Sequence, residues 1–283
     1  MNIISMKKYS LLFVVALIIV SCNDEEKAAK ELLNEAKALY ENTEYGSAKL
    51  KLDKIKEDYP KELEIRKEAL SLNREIEIKE QQRNIAYCDS MIIVRNKEAK
   101  AMLPQFAFVK TEYDNVGRYY YKEFNPQPNY TAARYINVHV NERNDLVLTS
   151  VYKGNAIGHN QIKAYISSGE YATTEKIPND KAANYSFTDA LGTTYETVTY
   201  QNGRDNGVLA FIGTYADKNI TIDFIGKQTV THTLSNKEKQ AVLHTVKFYT
   251  IKEDVKQFEK EIAKAKDRLW YLERKVNVVS AEQ

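Results

Sequence analysis

Residues 247–276, KFYTIKEDVKQFEKEIAKAKDRLWYLERKV, decide how this chain folds. Phe248, Ile251, Val255, Phe258, Ile262, Ala265, Leu269, Leu272 and Val276 alternate strictly at three and four residues. That spacing lines one helical stripe with apolar groups, and sustained for four heptads it is a coiled-coil seam. Lys256, Glu259, Lys260, Glu261 and Lys266 lie between the seam positions as solvated faces. Upstream, Ala241 and His244 extend the stripe, so His244 is expected to pack at the seam rather than hold a metal. Ser235-Asn236-Lys237-Glu238 reads as a capping box that starts the helix.

An apolar stripe of this length needs a partner. Residues 61–101 supply one without a helix breaker, through Ile65, Ala69, Leu72, Ile76, Ala86 and Ile93. Lys79 and Arg83 interrupt that stripe, which predicts a kink or change of register at 79–86. Two helices of about 40 residues are each about 60 Å long, and they are expected to pair antiparallel within one molecule. The competing arrangement is a homodimer through the C-terminal helix.

Between the two helices the composition changes. Nine of the ten glycines, four of the five prolines and 13 of the 20 tyrosines fall between Pro104 and His232. Phe106–Tyr113 with Arg118–Phe124, and Tyr135–Val140 with Leu146–Tyr152, read as hairpins about turn residues. Further strands are expected at Ile162–Ser167, Tyr171–Lys176, Tyr195–Tyr200, Val208–Tyr215, Ile220–Ile225 and Thr229–Thr233. The fold class is therefore α+β: an N-terminal helical hairpin and long helix, an inserted antiparallel β sandwich or barrel, and a long C-terminal helix pairing back. Tyr119-Tyr120-Tyr121 sends rings to both faces of a sheet. Because tyrosine joins a flat apolar ring to a polar handle, these three are the candidate binding residues, for a protein or a glycan.

The first flank carries a second pattern. Leu32, Ala36, Leu39, Tyr45, Ala48, Leu52, Ile55 and Pro60 resemble one tetratricopeptide repeat over residues 28–60. Small residues at 36 and 48 let two helices touch, and Pro60 ends the second. One repeat cannot bury its apolar face alone, so another part of the chain or a partner must cover it.

At the N-terminus, ten apolar residues from Leu11 to Val20 follow Lys7-Lys8 and run into Ser21-Cys22. Ten residues are too few to cross a hydrocarbon core of ~30 Å as a helix, and they suit the apolar region of a secretory signal. Ile19-Val20-Ser21-Cys22 resembles the lipobox of bacterial lipoproteins, which implies that residues 1–21 are removed and that Cys22 is acylated. Asn23-Asp24-Glu25-Glu26 is similar to the acidic export signal of Bacteroidota lipoproteins. That implies the outer membrane and surface exposure, with a periplasm-facing protein as the alternative. Asp89-Ser90-Met91 resembles the short O-glycosylation signature of the same bacteria. The expected parts are then a signal peptide (1–21), a tetratricopeptide-like hairpin with stalk helix (22–103), a β domain (104–233) and a coiled-coil stalk helix (234–283).

Charge and chemistry narrow the function. Removing Lys7 and Lys8 leaves 39 basic and 39 acidic residues, so no long-range field attracts nucleic acid. With Cys22 lipidated, Cys88 is left single and is read as a small buried apolar residue, so no internal disulfide is expected. No nucleophile elbow, phosphate loop or zinc-binding helix motif occurs, and His139, His159 and His232 are widely separated. His139 alternates with valines and should face away from the core. Neither catalytic residues nor metal or cofactor ligands are expected. The expected function is a lipid-anchored envelope module that binds or scaffolds a protein or glycan. The alternatives are a glycan-acting enzyme with a carboxylate pair in the β part, and a subunit that self-associates through the C-terminal seam.

Overall fold

The computed structural model describes residues 24–125, 132–180 and 182–281, with side chains to Arg274 at the C-terminal end. Cys22 and the segment around it lie outside the described residues. By contacts the chain divides into two units, one of residues up to Ser90 and from Phe258 onward, the other Met91–Gln257. The fold is α+β, with helices at both ends and two antiparallel sheets between them.

In the first unit, helix α1 (24–41) and helix α2 (Tyr45–Asp58) form a hairpin closed by Thr43 in the left-handed region. Ala36 and Ala48 are fully buried, and Leu52 and Ile55 complete the contact. The start of α3 (Leu63–Met102) covers this hairpin with Ile65, Ala69, Leu72 and Ile76, all in one core with α1 and α2. The apolar face that one repeat leaves open is thus closed by the same chain. Farther along, α3 meets α5 (Asn236–Ala281): Tyr87 packs edge-on against Phe258 at 6.2 Å, and Glu77 pairs with Arg268. These two contacts run in opposite chain directions, so the helices are antiparallel here. Ile262, Ala265 and Leu272 are buried, as the seam spacing predicts.

The change of stripe at Lys79 and Arg83 has a physical cause. α3 continues through these residues, but its partner changes. Ile76 is the last of its residues in the α1–α2 core, Glu80 pairs with Lys49, and Arg83 lies over the Tyr45 ring at 5.8 Å. Beyond them Cys88 turns inward. The expected stripe positions Ala86 and Ile93 are exposed, Ile93 by 71%. An unbroken period cannot describe a helix that serves two differently placed partners.

In the second unit, the six-stranded sheet has the order β1-β2-β3-β4-β8-β7 and the four-stranded sheet β10-β9-β5-β6. The strands are β1 Phe106–Val109, β2 Arg118–Tyr121, β3 Arg134–Asn141, β4 Leu146–Gly154, β5 Gln161–Tyr165, β6 Tyr171–Thr173, β7 Asn184–Thr188, β8 Thr194–Tyr200, β9 Thr221–Ile225 and β10 Thr229–Thr233. Ile136, Val138, Leu148 and Val198 of the first sheet share one core with Ile162, Ala164, Ile222 and Phe224 of the second. The sheets therefore pack as a sandwich. The same core takes in Phe248 and Ile251 of α5, with Phe106 stacked on Phe248 at 4.7 Å. Arg95 of α3 pairs with Asp254 of α5 at 3.0 Å.

Local chemistry sets the turns and caps. Between β3 and β4, Asn141 Oδ1 accepts the N–H groups of Arg143 and Asp145, and Asn144 takes the left-handed conformation that asparagine tolerates. At the start of α5 the capping box forms: Glu238 N–H donates to Ser235 Oγ, and Ser235 N–H donates to the Glu238 carboxylate at 2.8 Å. Glu238 also accepts Ile136 N–H and meets His232 at 3.0 Å, so one buried carboxylate joins α5, β3 and β10.

Two stretches of the β part differ from their expected form. Val208–Tyr215 is not a strand: Val208–Thr214 is a helix, α4, packed on β5 and β6. An all-apolar run carries no period of its own. Asn206 and Gly207, both left-handed, turn the chain into the helix, and burial at 208, 209, 211 and 212 is helical. Strand β7 was not expected, because Asn184–Thr188 is exposed after its first residue and shows no buried alternation.

Candidate functional site

Two constellations in the second unit carry chemistry. The first lies between the sheets and was not legible as a motif. Ser150 of β4 projects inward beside Leu148 and Tyr152, and Glu196 of β8 projects inward beside Val198 and Tyr200. His159, on the loop before β5, bridges them: Nε2 lies 3.0 Å from Ser150 Oγ, and Nδ1 lies 2.8 Å from Glu196 Oε2. An ionised carboxylate only accepts, so Nδ1 carries the shared proton. The Glu196 carboxylate also accepts the N–H groups of Ile157, Gly158 and His159 at 2.7–2.8 Å. Burial opposes its ionisation, but the His159 and backbone donors outweigh that and hold it at about 2. Burial pushes the nearby Tyr200 phenol up to about 12, against the pull of the Ser150 and Thr174 hydroxyls.

The order Ser–His–Glu is that of a nucleophile, its base and the group orienting the base. A nucleophile must also be reached by a substrate and face donors for the developing oxyanion. Ser150 has no exposed surface and His159 is 1% exposed, and neither lines a described cleft. The constellation is a fastener: its carboxylate stitches the 157–159 loop to the middle of β8. Its signal in the sequence was Glu196, which shares strand parity with Val198 and Tyr200.

The second constellation is the open face of the six-stranded sheet. Register places Tyr120 beside His139, His139 beside Val147, Thr149 beside Thr199, and Thr197 beside Tyr185. With the Tyr113–Val116 loop, Arg118, Asn141 and Gln201, all of these residues except Tyr185 line a cleft of about 610 Å³. Tyr120 and His139 pack with ring centroids 5.0 Å apart. Burial, and secondarily the Arg118 charge, lowers His139 to about 4, so it is neutral at physiological pH. Arg118 donates to Asp114 at 2.6 Å, and Asp114 also accepts Thr111 N–H and Oγ–H. These bonds, led by the Thr111 backbone, hold the Asp114 carboxyl below its usual range. Beyond Thr197 the face continues into Phe187, stacked on Tyr195 at 4.7 Å, with Lys153 over Tyr195 at 5.0 Å. Tyr185 and Phe187 are about half exposed.

The three candidate tyrosines part company. Tyr119 and Tyr121 turn inward onto α5, against Phe248 at 5.7 Å and His244 at 4.5 Å, so they serve the core. Strand parity sends Tyr120 alone to the open face. His139 faces that side as expected, whereas His244 stacks on Tyr121 of β2 rather than at a helix–helix seam. Tyr113, Tyr185, Phe187 and Tyr195 were not singled out by sequence, because ring exposure depends on which sheet face stays uncovered.

The remaining candidates have simple placements. Cys88 is buried in α3, and burial, with Glu261 and Asp89 nearby, raises its thiol. Ser90 is exposed on α3, with its hydroxyl donating to Ala86 O at 2.9 Å. Among the described residues no group of three His, Cys, Asp or Glu side chains could hold a metal ion, and no helix is long and apolar enough to cross a membrane. Comparison of the chain with protein-family models, curated proteins and solved structures gives no match.

Proposed function

We propose that this chain is a cell-envelope lipoprotein, anchored to the bacterial outer membrane through Cys22, whose β module binds a partner without chemically altering it. The binding surface is the open face of the six-stranded sheet. The observation that carries this reading is the uncovered row of Tyr120, His139, Thr149, Thr199 and Thr197, continued by exposed Tyr185 and Phe187. Singly exposed aromatic residues are ordinary, but a contiguous set on one face marks a recognition surface. Of the cleft's lining residues, Asp114 is the one carboxylate, and it is engaged by Thr111 and Arg118. A general acid–base pair would need a second carboxyl ~5–10 Å away. The anchor rests on the resemblance of residues 19–26 to a lipobox and export signal.

Photocrosslinking in intact cells tests the reading. A diazirine-bearing residue at 149 or 197 should give adducts, whereas one at Glu259, on the exposed side of α5, should not. Equal yields at all three sites, or none at 149 and 197, would remove the binding face. Separately, wild type and Cys22→Ala should fractionate differently, the variant losing the membrane fraction; identical fractionation would remove the anchor.

A further inference from the structure

We propose that the cleft over β2, β3, β4 and β8 receives an uncharged oligosaccharide; this rests on the open face being the binding surface and names what it binds. Charge in the cleft is balanced. Asp114 and Arg118 are the charged residues lining the cleft, and they neutralise one another at 2.6 Å. His139 is the remaining titratable nitrogen there, and it stays neutral at physiological pH. Lys153, farther along β4, lies over the Tyr195 ring. A phosphate, sulfate or uronate ligand would find no uncommitted cation in the cleft, and a basic ligand no uncommitted carboxylate.

The polar groups that the cleft offers both donate and accept. Thr149, Thr197 and Thr199 are half-buried and have no side-chain hydrogen-bond partner among the described residues. Each hydroxyl donates once and accepts twice, a neutral imidazole does one of each, and the Gln201 amide does both. Sugar hydroxyls have the same dual character, so each can be met without leaving a buried group unpaired. Protein interfaces instead centre on an apolar patch, and Val116 and Val147 are the aliphatic members of this lining.

Aromatic rings flank these groups. Tyr113 stands at the rim, 88% exposed, and Tyr120 forms the wall beside His139. An amphipathic ring can cover the C–H face of a sugar while its hydroxyl reaches a neighbour. Five strands from β2 to β7 at ~4.8 Å spacing give a face ~19 Å wide, which suits several linked rings rather than one.

The test is retention of the purified full chain on immobilised neutral β-glucan, mannan and N-acetylglucosamine oligosaccharides, beside sulfated and uronic glycans, at low and high salt. A neutral oligosaccharide should be retained independently of salt. The Thr149→Val/Thr199→Val double variant, which keeps shape and strand preference, should weaken retention about tenfold, the loss of one or two neutral hydrogen bonds. Tyr113→Ala, exposed enough to leave folding untouched, should do the same. Salt-sensitive retention of acidic glycans alone would overturn the proposal, as would neutral binding that both variants preserve. If no glycan is retained while crosslinks at 149 and 197 still form, the ligand class is wrong and the binding face stands. If neither is seen, both readings fail.

Discussion

Replacing Glu196 by Gln should destabilise the β unit by about 3 kcal/mol at neutral pH and remove a defined part of its acid sensitivity. The carboxylate accepts four hydrogen bonds, three from backbone N–H groups at Ile157, Gly158 and His159 and one from the His159 ring. Its ordinary value of 4.5 falls to about 2 in the fold. At about 1.36 kcal/mol per unit, that shift corresponds to roughly 3 kcal/mol of stability. Because the folded value is depressed, this stability is fully present above about pH 5 and is lost as the pH falls through 4.5 toward 2. Glutamine keeps one acceptor oxygen, but its amide N–H₂ opposes donors on the His159 side, a mismatch that costs about 1–3 kcal/mol in a buried site. For a unit of this size, about 3 kcal/mol lowers the thermal midpoint by roughly 6–12 °C. Urea unfolding of wild type and variant at several pH values between 2 and 7 measures both effects. Other depressed carboxyls, such as Asp180 and Glu238, contribute equally to both proteins, so the difference curve isolates Glu196. A variant within about 0.5 kcal/mol of wild type at pH 7, or a gap that does not close toward pH 2, would refute the reasoning.

Three further outcomes follow from packing. A Cβ on Gly226 would lie 2.3 Å from Ile157 O, so Gly226→Ala should cost about 1–3 kcal/mol by overpacking the loop that Glu196 holds, read as a lower urea midpoint. Phe248→Ala empties the contact with Phe106 and Tyr119 and should cost about 3–5 kcal/mol; a smaller loss would mean that α5 is not integral to the sandwich core. Cys88, buried with a raised thiol, should resist alkylation in the native protein and react once urea unfolds it.

The helical ends and most of the strands were legible because their information is periodic and local. The seam from Phe248 to Leu272, the capping box at Ser235 and the turn at Asn141–Asn144 each depend on residues within a few positions of one another. Their geometry follows from 3.6- and 2-residue repeats and from short side-chain-to-backbone bonds. Where the period is absent, as in Val208–Thr214, local reading chose the wrong element, and left-handed Asn206 and Gly207 with the packing on β5 and β6 set the right one. Where a helix changes partner, as α3 does past Ile76, the stripe rotates, and no continuous count could place Ala86 or Ile93.

The amino-acid order alone determined an α+β chain with long helices at its two ends, strands between them and a tyrosine-rich middle. Tertiary structure alone decided that Ser150, His159 and Glu196 meet in the interior, from positions up to 46 residues apart. It likewise decided that Tyr120 faces the cleft while Tyr119 and Tyr121 support α5. The physical reason is that alternation assigns a side chain to one of two sheet faces, but only the packing of the second sheet and α5 settles which face is covered. A binding surface is what that packing leaves open.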